Sequence, residues 1–328
     1  MRKIVIFAND AGGSELLLEL LRASLHVGEF RVFYIQNSPC QKILKQKCLD
    51  SYAFAIQASQ QSVSDALDKI NPDIILYSTG WQNHVEYYFL NYAREHKIPS
   101  VAFLDNWANY KERFSYPDAS WKDNFPTYIA THDEFSEKKA KELGLENLVA
   151  IKNYSLINEL QNFKNVRNAT SDILLFLSEP TSVVAKKTYG DEHYWGFTEC
   201  DVFKSILKHQ HKFGCSNIVV RLHPSDTADA YKKIASDITI SDLSLQEDIA
   251  RAKFIVGVDS SVLYLAYLLG KKVIAYLPST NRDFHVPLPK QNQFTTLENL
   301  NPNLLQINTA DVKEYGVEFA SFIKNILG

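Results

Sequence analysis

Two short strings in the second half of the chain carry residue types that could hold a phosphate. The first, Arg221-Leu222-His223-Pro224, follows the apolar run at 217–220. Pro224 lacks a backbone donor and biases His223 toward an extended conformation. An imidazole held at a strand end can donate a charge-assisted hydrogen bond to a phosphate oxygen; capping the next helix or packing in a loop would use it equally well. The second string, Asp259-Ser260-Ser261, lies where a strand-like run at 254–258 gives way to a helical pattern. Unpaired N–H groups and the helix dipole draw anions to such a helix start, although Asp and Ser are also ordinary N-caps. Together the strings predict a phosphate site of Arg221, His223, Pro224, Asp259, Ser260 and Ser261, with His223 in a catalytic role as well.

Three loops in the first half are rich in groups that could meet a sugar. Asn9-Asp10-Ala11-Gly12-Gly13-Ser14 follows the first apolar run. Gly12 and Gly13 would let backbone approach a ligand closely, or form a tight strand-to-helix turn capped by Ser14. The loop is neither G-x-G-x-x-G nor a Walker sequence. Trp81, in Ser78-Thr79-Gly80-Trp81-Gln82-Asn83-His84, could stack on a sugar or pack half-buried. Leu104-Asp105-Asn106-Trp107-Ala108-Asn109-Tyr110 sets an acid at the end of a buried strand, then amides and aromatics. Such loops suit substrate recognition by Asn106, Trp107 and Asn109, and an interface with a partner chain would use the same residues. Transfer to a hydroxyl needs a base. Asp105 and Asp10 are the candidates by position, with Glu112 behind them.

The elements that must position these residues alternate. Strand-length apolar runs at 4–8, 31–36, 52–56, 73–77, 100–104 and 127–131 are separated by helical patterns, and the alternation restarts at 173 after an Asn-rich polar stretch at 153–171. In the second half a single helix is expected over 198–213. This predicts α/β architecture with parallel sheets: two Rossmann-like domains facing a cleft, residues 1–155 and 170–310, joined by a linker. A helix over 311–328 is expected to pack back on the first domain. Length agrees, since 328 residues suit two domains.

Composition narrows the function classes. A net charge of −3 gives no pull toward nucleic acid, and Lys42, Lys45 and Lys47 read as a solvated helix face. Four scattered cysteines without C-x-x-C suit a reduced, cytoplasmic setting and no zinc site. No run reaches the length of a membrane span and no signal peptide is expected. No carboxylate cluster or D-x-D marks a metal, and no cofactor is expected.

The strings at His223-Pro224 and Ser260-Ser261 resemble the nucleotide-binding motifs of GT-B fold glycosyltransferases, above all bacterial sialyltransferases, polysialyltransferases and related capsule enzymes. Arg221, His223 and Pro224 also resemble the Arg-x-His-Pro of CDP-glycerol-type polymer transferases. The resemblance covers roughly residues 217–276. It implies an inverting, metal-independent glycosyltransferase for bacterial surface glycan, with a CMP-activated acidic sugar or related cytidine donor, a glycan acceptor, and a place at the inner face of the membrane. The base of those families lies in an acidic pair followed by Gly; here Asp133-Glu134 is followed by Phe135, so the base stays open. Two other readings stand beside this one: a UDP-sugar hydrolase or epimerase of the same fold, and a non-catalytic nucleotide- or glycan-binding partner in polysaccharide assembly.

Overall fold

The computed structural model describes residues 1–80, 84–115, 121–163, 171–279, 281–308 and 315–328. The chain divides into two compact units, Met1–Asn158 with Val312–Gly328, and Glu159–Asp311.

The first unit is a seven-stranded parallel sheet. Its strands are β1 (Lys3–Phe7), β2 (Glu29–Ile35), β3 (Ala53–Ile56), β4 (Ile74–Ser78), β5 (Ser100–Phe103), β6 (Tyr128–Thr131) and β7 (Leu148–Ala150), in the order β3-β2-β1-β4-β5-β6-β7. Strand β1, flanked by β2 and β4, shows why a continuous apolar run is needed. Alternate residues of a strand face opposite sides. Ile4 and Ile6 enter one core, Val5 and Phe7 the other, and all four are buried. Helices α1 (Ala11–Ala23), α2 (Pro39–Gln46), α3 (Gln60–Ile70), α4 (Glu86–Glu95) and α5 (Glu134–Glu142) make the crossovers.

The second unit begins within α6 (Tyr154–Phe163) and builds a six-stranded parallel sheet. Its strands are β8 (Ile173–Leu177), β9 (Asn217–Arg221), β10 (Thr239–Ile240), β11 (Ala252–Gly257), β12 (Lys272–Tyr276) and β13 (Gln293–Phe294), ordered β10-β9-β8-β11-β12-β13. Its helices are α7 (Thr181–Tyr189), α8 (Glu199–Lys208), α9 (Ala228–Lys232), α10 (Leu245–Arg251) and α11 (Ser261–Leu268). The last helix, α12 (Phe319–Leu327), belongs to the first unit, where Phe319, Phe322 and Ile323 join the core that holds Ile4 and Ile6. Burying each such side chain contributes roughly 1.5–3 kcal/mol.

Several local expectations need correction. The Asn-rich stretch is helical over Tyr154–Phe163, because Leu156, Ile157, Leu160 and Phe163 recur at helical spacing and outweigh the asparagines; residues 164–170 lie outside the described set. Helix α1 starts at Ala11, so Gly12 and Gly13 form its first turn and Ser14 is interior and buried, not a cap. Helix α7 fills a stretch with no predicted element, and α8 ends at Lys208 ahead of a separate short turn, Gln210–Lys212. The final helix starts at Phe319; residues 315–318 before it are not helical, Gly316 taking a left-handed conformation, and residues 311–314 lie outside the described set. Lys47 is no solvated charge: it pairs with Glu15 at 2.7 Å and Glu19 at 2.5 Å between α2 and α1. Among the described residues no helix is long and apolar enough to cross a membrane.

Candidate functional site

Ligands of open parallel sheets bind beyond the carboxyl ends of the strands. In the second unit that edge is formed by the residues after β8, β9, β11, β12 and β13.

After β9, Arg221 is tied down within the protein. Its Nη1 donates to Asp248 Oδ2 at 2.7 Å and to the Leu243 carbonyl at 2.9 Å. Asp248 is fully buried and also accepts from Ser241 and Arg251. The guanidinium thus anchors β9 to the segment before α10. His223 is exposed, as is Pro224. The Ser225 amide donates to His223 Nδ1 at 3.2 Å, and Ser225 Oγ lies 2.7 Å away. A ring that accepts at Nδ1 carries its proton on Nε2 when neutral. Although the residue as a whole is exposed, shielding of the ring holds its pKa below the ordinary histidine value. The expected cation is therefore a neutral Nε2–H donor in the free protein.

After β11, Asp259 also turns inward. Its carboxylate accepts from the amides of His285 (2.9 Å) and Val286 (3.0 Å), lies 2.7 Å from His285 Nδ1, and has Arg282 at 3.7 Å. It shapes the 282–286 loop. Ser260 is the N-cap of α11 and accepts from the Val262 amide at 3.2 Å. Ser261 stands exposed as the first residue of that helix. Of the six residues expected at a phosphate, His223, Pro224 and Ser261 present themselves to solvent, while the side chains of Arg221, Asp259 and Ser260 serve the scaffold.

The residue missed by sequence reasoning is Glu179. It lies just past β8, the strand between β9 and β11, so it occupies the roughly 10 Å that separates those two strands. Its Oε1 accepts the Asp259 amide at 2.7 Å. Burial pushes its carboxyl up to about 7, against the pull of Arg282. The available signal was an acid two residues past an apolar strand run, one position further along than Asp105 stands from its own run. Nearby, Asp226 bonds Ser178 and Tyr231, and burial, reinforced by Glu199, raises it to about 6.

In the first unit the edge carries a second acidic cluster. Asp105 Oδ1 accepts from Arg113 Nη1 at 2.6 Å. Arg113, almost wholly buried, also donates to Thr79 O (2.7 Å), Thr79 Oγ1 (2.9 Å) and the Ala108 carbonyl (3.0 Å). A Cβ on Gly12 would come within 2.4 Å of Asp105 Oδ2, and one on Gly13 within 2.2 Å of Ser78 Cβ. Gly13 is buried, so its missing side chain serves helix–strand packing; Gly12 is exposed and faces the Asp105 carboxylate. Asp10 is the exposed N-cap of α1, and Glu112 is exposed in the turn that holds Arg113. Glu86, at the start of α4, accepts the Gly80 amide at 2.8 Å, and burial, reinforced by Asp10, pushes its carboxyl up to about 8.

The aromatic loop differs from expectation. Trp107 is buried and its Nε1 donates to Asp133 Oδ2 at 2.8 Å, so its ring belongs to the interior. Asn106 accepts the Ala108 amide at 2.9 Å, and Asn109 takes the left-handed conformation that lets the chain turn toward Arg113. Asp133 caps α5 in a reciprocal pair with Ser136. His132 beside it is buried, with its ring 5.3 Å from Trp107 and Nε2 3.5 Å from Asp133 Oδ2. Trp81 lies outside the described residues.

No protein-family profile and no curated protein sequence matches the chain. Solved structures do resemble it. UDP-GlcNAc 2-epimerase from Neisseria meningitidis bound to UDP-GlcNAc superposes with a TM-score of 0.57 at 12% identity, covering 84% of this chain and 82% of that one. Anabaena Alr3699/HepE in complex with UDP gives 0.57 at 13% identity, covering 99% and 90%. Acinetobacter baumannii MurG gives 0.53 at 11% identity, covering 87% and 81%. At these identities the likeness establishes the fold: two successive Rossmann-like sheets of the GT-B kind.

Proposed function

We propose that the protein is a nucleotide-sugar-dependent glycosyltransferase whose second unit holds the donor's phosphates. The observation that carries this reading is the pairing of an Nε2–H donor on His223 with the open N-terminus of α11 at Ser261, on either side of β8. Both present hydrogen-bond donors at the sheet edge where anions are bound. In the reaction, an acceptor hydroxyl attacks the anomeric carbon and its proton passes to a carboxylate. The bond from that carbon to the phosphate oxygen breaks, and the nucleotide leaves as an anion stabilised by His223 and the helix start. Asp105, through its Oδ2, and Asp10 are the proposed bases.

The motif resemblance favours a cytidine monophosphate donor bearing an acidic sugar and an inverting course without a metal. Two of the similar structures contain uridine nucleotides, which favours a UDP-sugar and keeps epimerisation as the second reading. Calorimetric titration with CMP, CDP and UDP decides between the nucleotides. His223→Ala should weaken binding at least tenfold; binding of no nucleotide, or binding that His223→Ala leaves unchanged, refutes the proposal. A nucleotide sugar supplied without acceptor that yields its epimer at a catalytic rate assigns the second reading.

A further inference from the structure

The second unit carries an aromatic group that the nucleotide site does not use. Between α7 and α8 the chain passes Gly190, which caps α7 in the left-handed conformation, and Gly196, also left-handed. A Cβ at either glycine would meet nothing within 4 Å, so both face open space. Between them stand Tyr194 and Trp195. Tyr194 stacks on Tyr189 with ring centroids 3.7 Å apart and planes 9° from parallel. Trp195 meets both edge-on, at 5.7 and 6.0 Å. Although packed against each other, Tyr189 and Tyr194 remain 47% and 50% exposed. Stacking that leaves two tyrosines half in water does not hide apolar surface the way a core cluster does.

Trp195 is fixed from two sides. Its carbonyl accepts from Ser279 Oγ at 2.7 Å, and the Arg282 guanidinium lies over its ring, 4.8 Å from the centroid. Arg282 is itself held near Asp259. Beside Trp195 lies a cavity of about 400 Å³, lined also by Gly196, Pro278, Ser279, Asn281 and Thr295. The volume is in the range of small-ligand sites. The cavity sits past the carboxyl ends of β12 and β13, and the residues Gly196, Asn281 and Thr295 are exposed at its rim.

We propose that this platform and cavity bind a neutral pyranose, a hexose or N-acetylhexosamine unit of a glycan. The C–H face of a pyranose is apolar and faintly electropositive, and suits the negative face of an aromatic ring. Its hydroxyls suit an amide and a hydroxyl such as those of Asn281 and Thr295. Charge argues against an acidic sugar. Asp191 and Glu192 stand on the same loop, Lys186 is turned to Glu192 at 3.8 Å, and Arg282 is engaged by Trp195 and Asp259. The fixed loop also suits binding, because little ordering remains to be done when ligand arrives.

The test uses the whole protein without nucleotide, so its failure is separate from failure of the nucleotide reading. Maltotetraose, chitotetraose and colominic acid are titrated by calorimetry and saturation-transfer NMR. One of the two neutral tetrasaccharides should bind, Tyr194→Ala and Trp195→Ala should raise its Kd at least tenfold, and Trp195→Phe should stay within about threefold of wild type. Tyr194 is half exposed, so Tyr194→Ala keeps the test open should Trp195→Ala fail to fold. Binding of neither tetrasaccharide, wild-type affinity in Tyr194→Ala and Asn281→Ala, or tighter binding of colominic acid than of both neutral probes overturns the proposal.

Discussion

The carboxylate of Glu179 accepts the amide of Asp259 at 2.7 Å, one residue before the helix cap at Ser260. A protein carboxyl thus shares the space between β9 and β11 with the proposed phosphate site. Ionised, it repels a second anion; protonated, it does not. Burial raises its pKa to about 7, so the site is expected to change character near neutrality.

From this follows a pH dependence of nucleotide affinity. Wild-type protein should lose affinity for UDP between pH 6 and pH 8 as Glu179 ionises. Because a terminal phosphate itself titrates near about 6, the informative quantity is the difference from Glu179→Gln. That variant should bind several-fold more tightly than wild type at pH 8 and about equally at pH 6. Equal affinities at both pH values would show that Glu179 stays remote from the bound phosphate.

Why Glu179 escaped the sequence while the sheets did not has a physical answer. Strands such as 173–177 are buried on both faces of a parallel sheet, so each is a continuous apolar run that can be seen without a partner. The residues at the strand ends depend on partners far along the chain. Asp259 looks like a helix cap, yet its carboxylate is used by His285 and Val286, 26 and 27 residues later. Arg221 looks like a phosphate ligand until Asp248 is placed beside it. Trp107 could face inward or outward at a strand end, and the Asp133 carboxylate that draws it inward belongs to another crossover. Short motifs located the edge; tertiary pairing decided which side chains remain free to meet a ligand.

Gly12 and Asp105 should be energetically coupled. A Cβ at Gly12 would lie 2.4 Å from Asp105 Oδ2, a side chain that Arg113 holds through its other oxygen. Gly12→Ala is therefore expected to cost about 1–3 kcal/mol by overpacking. Asp105→Ala alone strands the buried Arg113 and costs about 3–5 kcal/mol. In the Asp105→Ala background the nearest atom left to the added methyl is the Cβ of residue 105, at an ordinary contact distance of 3.8 Å, and Gly12→Ala should become neutral or slightly stabilising, since alanine restricts the unfolded chain. Urea denaturation of the four proteins measures the cycle. Additivity within about 0.5 kcal/mol would mean that the Asp105 side chain simply moves aside.

Stability should fall as pH rises, through Glu86. Its folded-state pKa of about 8 lies above the ordinary 4.5. Below pH 4.5 the carboxyl is protonated whether the chain is folded or not, and its full contribution is present. Between about 4.5 and about 8 the unfolded chain releases the proton and the folded one keeps it, so stability is lost across that window. Glu86→Gln preserves an oxygen for the Gly80 amide and removes the titration. Relative to wild type it should be within about 1 kcal/mol at pH 5 and more stable by a few kcal/mol at pH 8.5, on the linkage scale of about 1.4 kcal/mol per pKa unit. A variant whose difference from wild type is the same at both pH values would place Glu86 in contact with water.

Arg221 offers the cleanest separation of scaffold from ligand contact. Its guanidinium spans Asp248 Oδ2 and the Leu243 carbonyl, and Asp248 is wholly buried. Both bonds leave from Nη1, and a lysine ammonium, on a shorter stem and with tetrahedral donors, does not reach both acceptors at those angles. Arg221→Lys should therefore cost roughly 1–3 kcal/mol of stability, less than full loss of the pair because Arg251 and Ser241 still satisfy Asp248. If the arginine acts only as an anchor, nucleotide affinity measured well below the melting temperature should change by less than about threefold, whereas His223→Ala loses at least tenfold. A variant of normal stability whose UDP affinity drops tenfold would return Arg221 to the phosphate, and would mean that its bond to Asp248 breaks when ligand arrives.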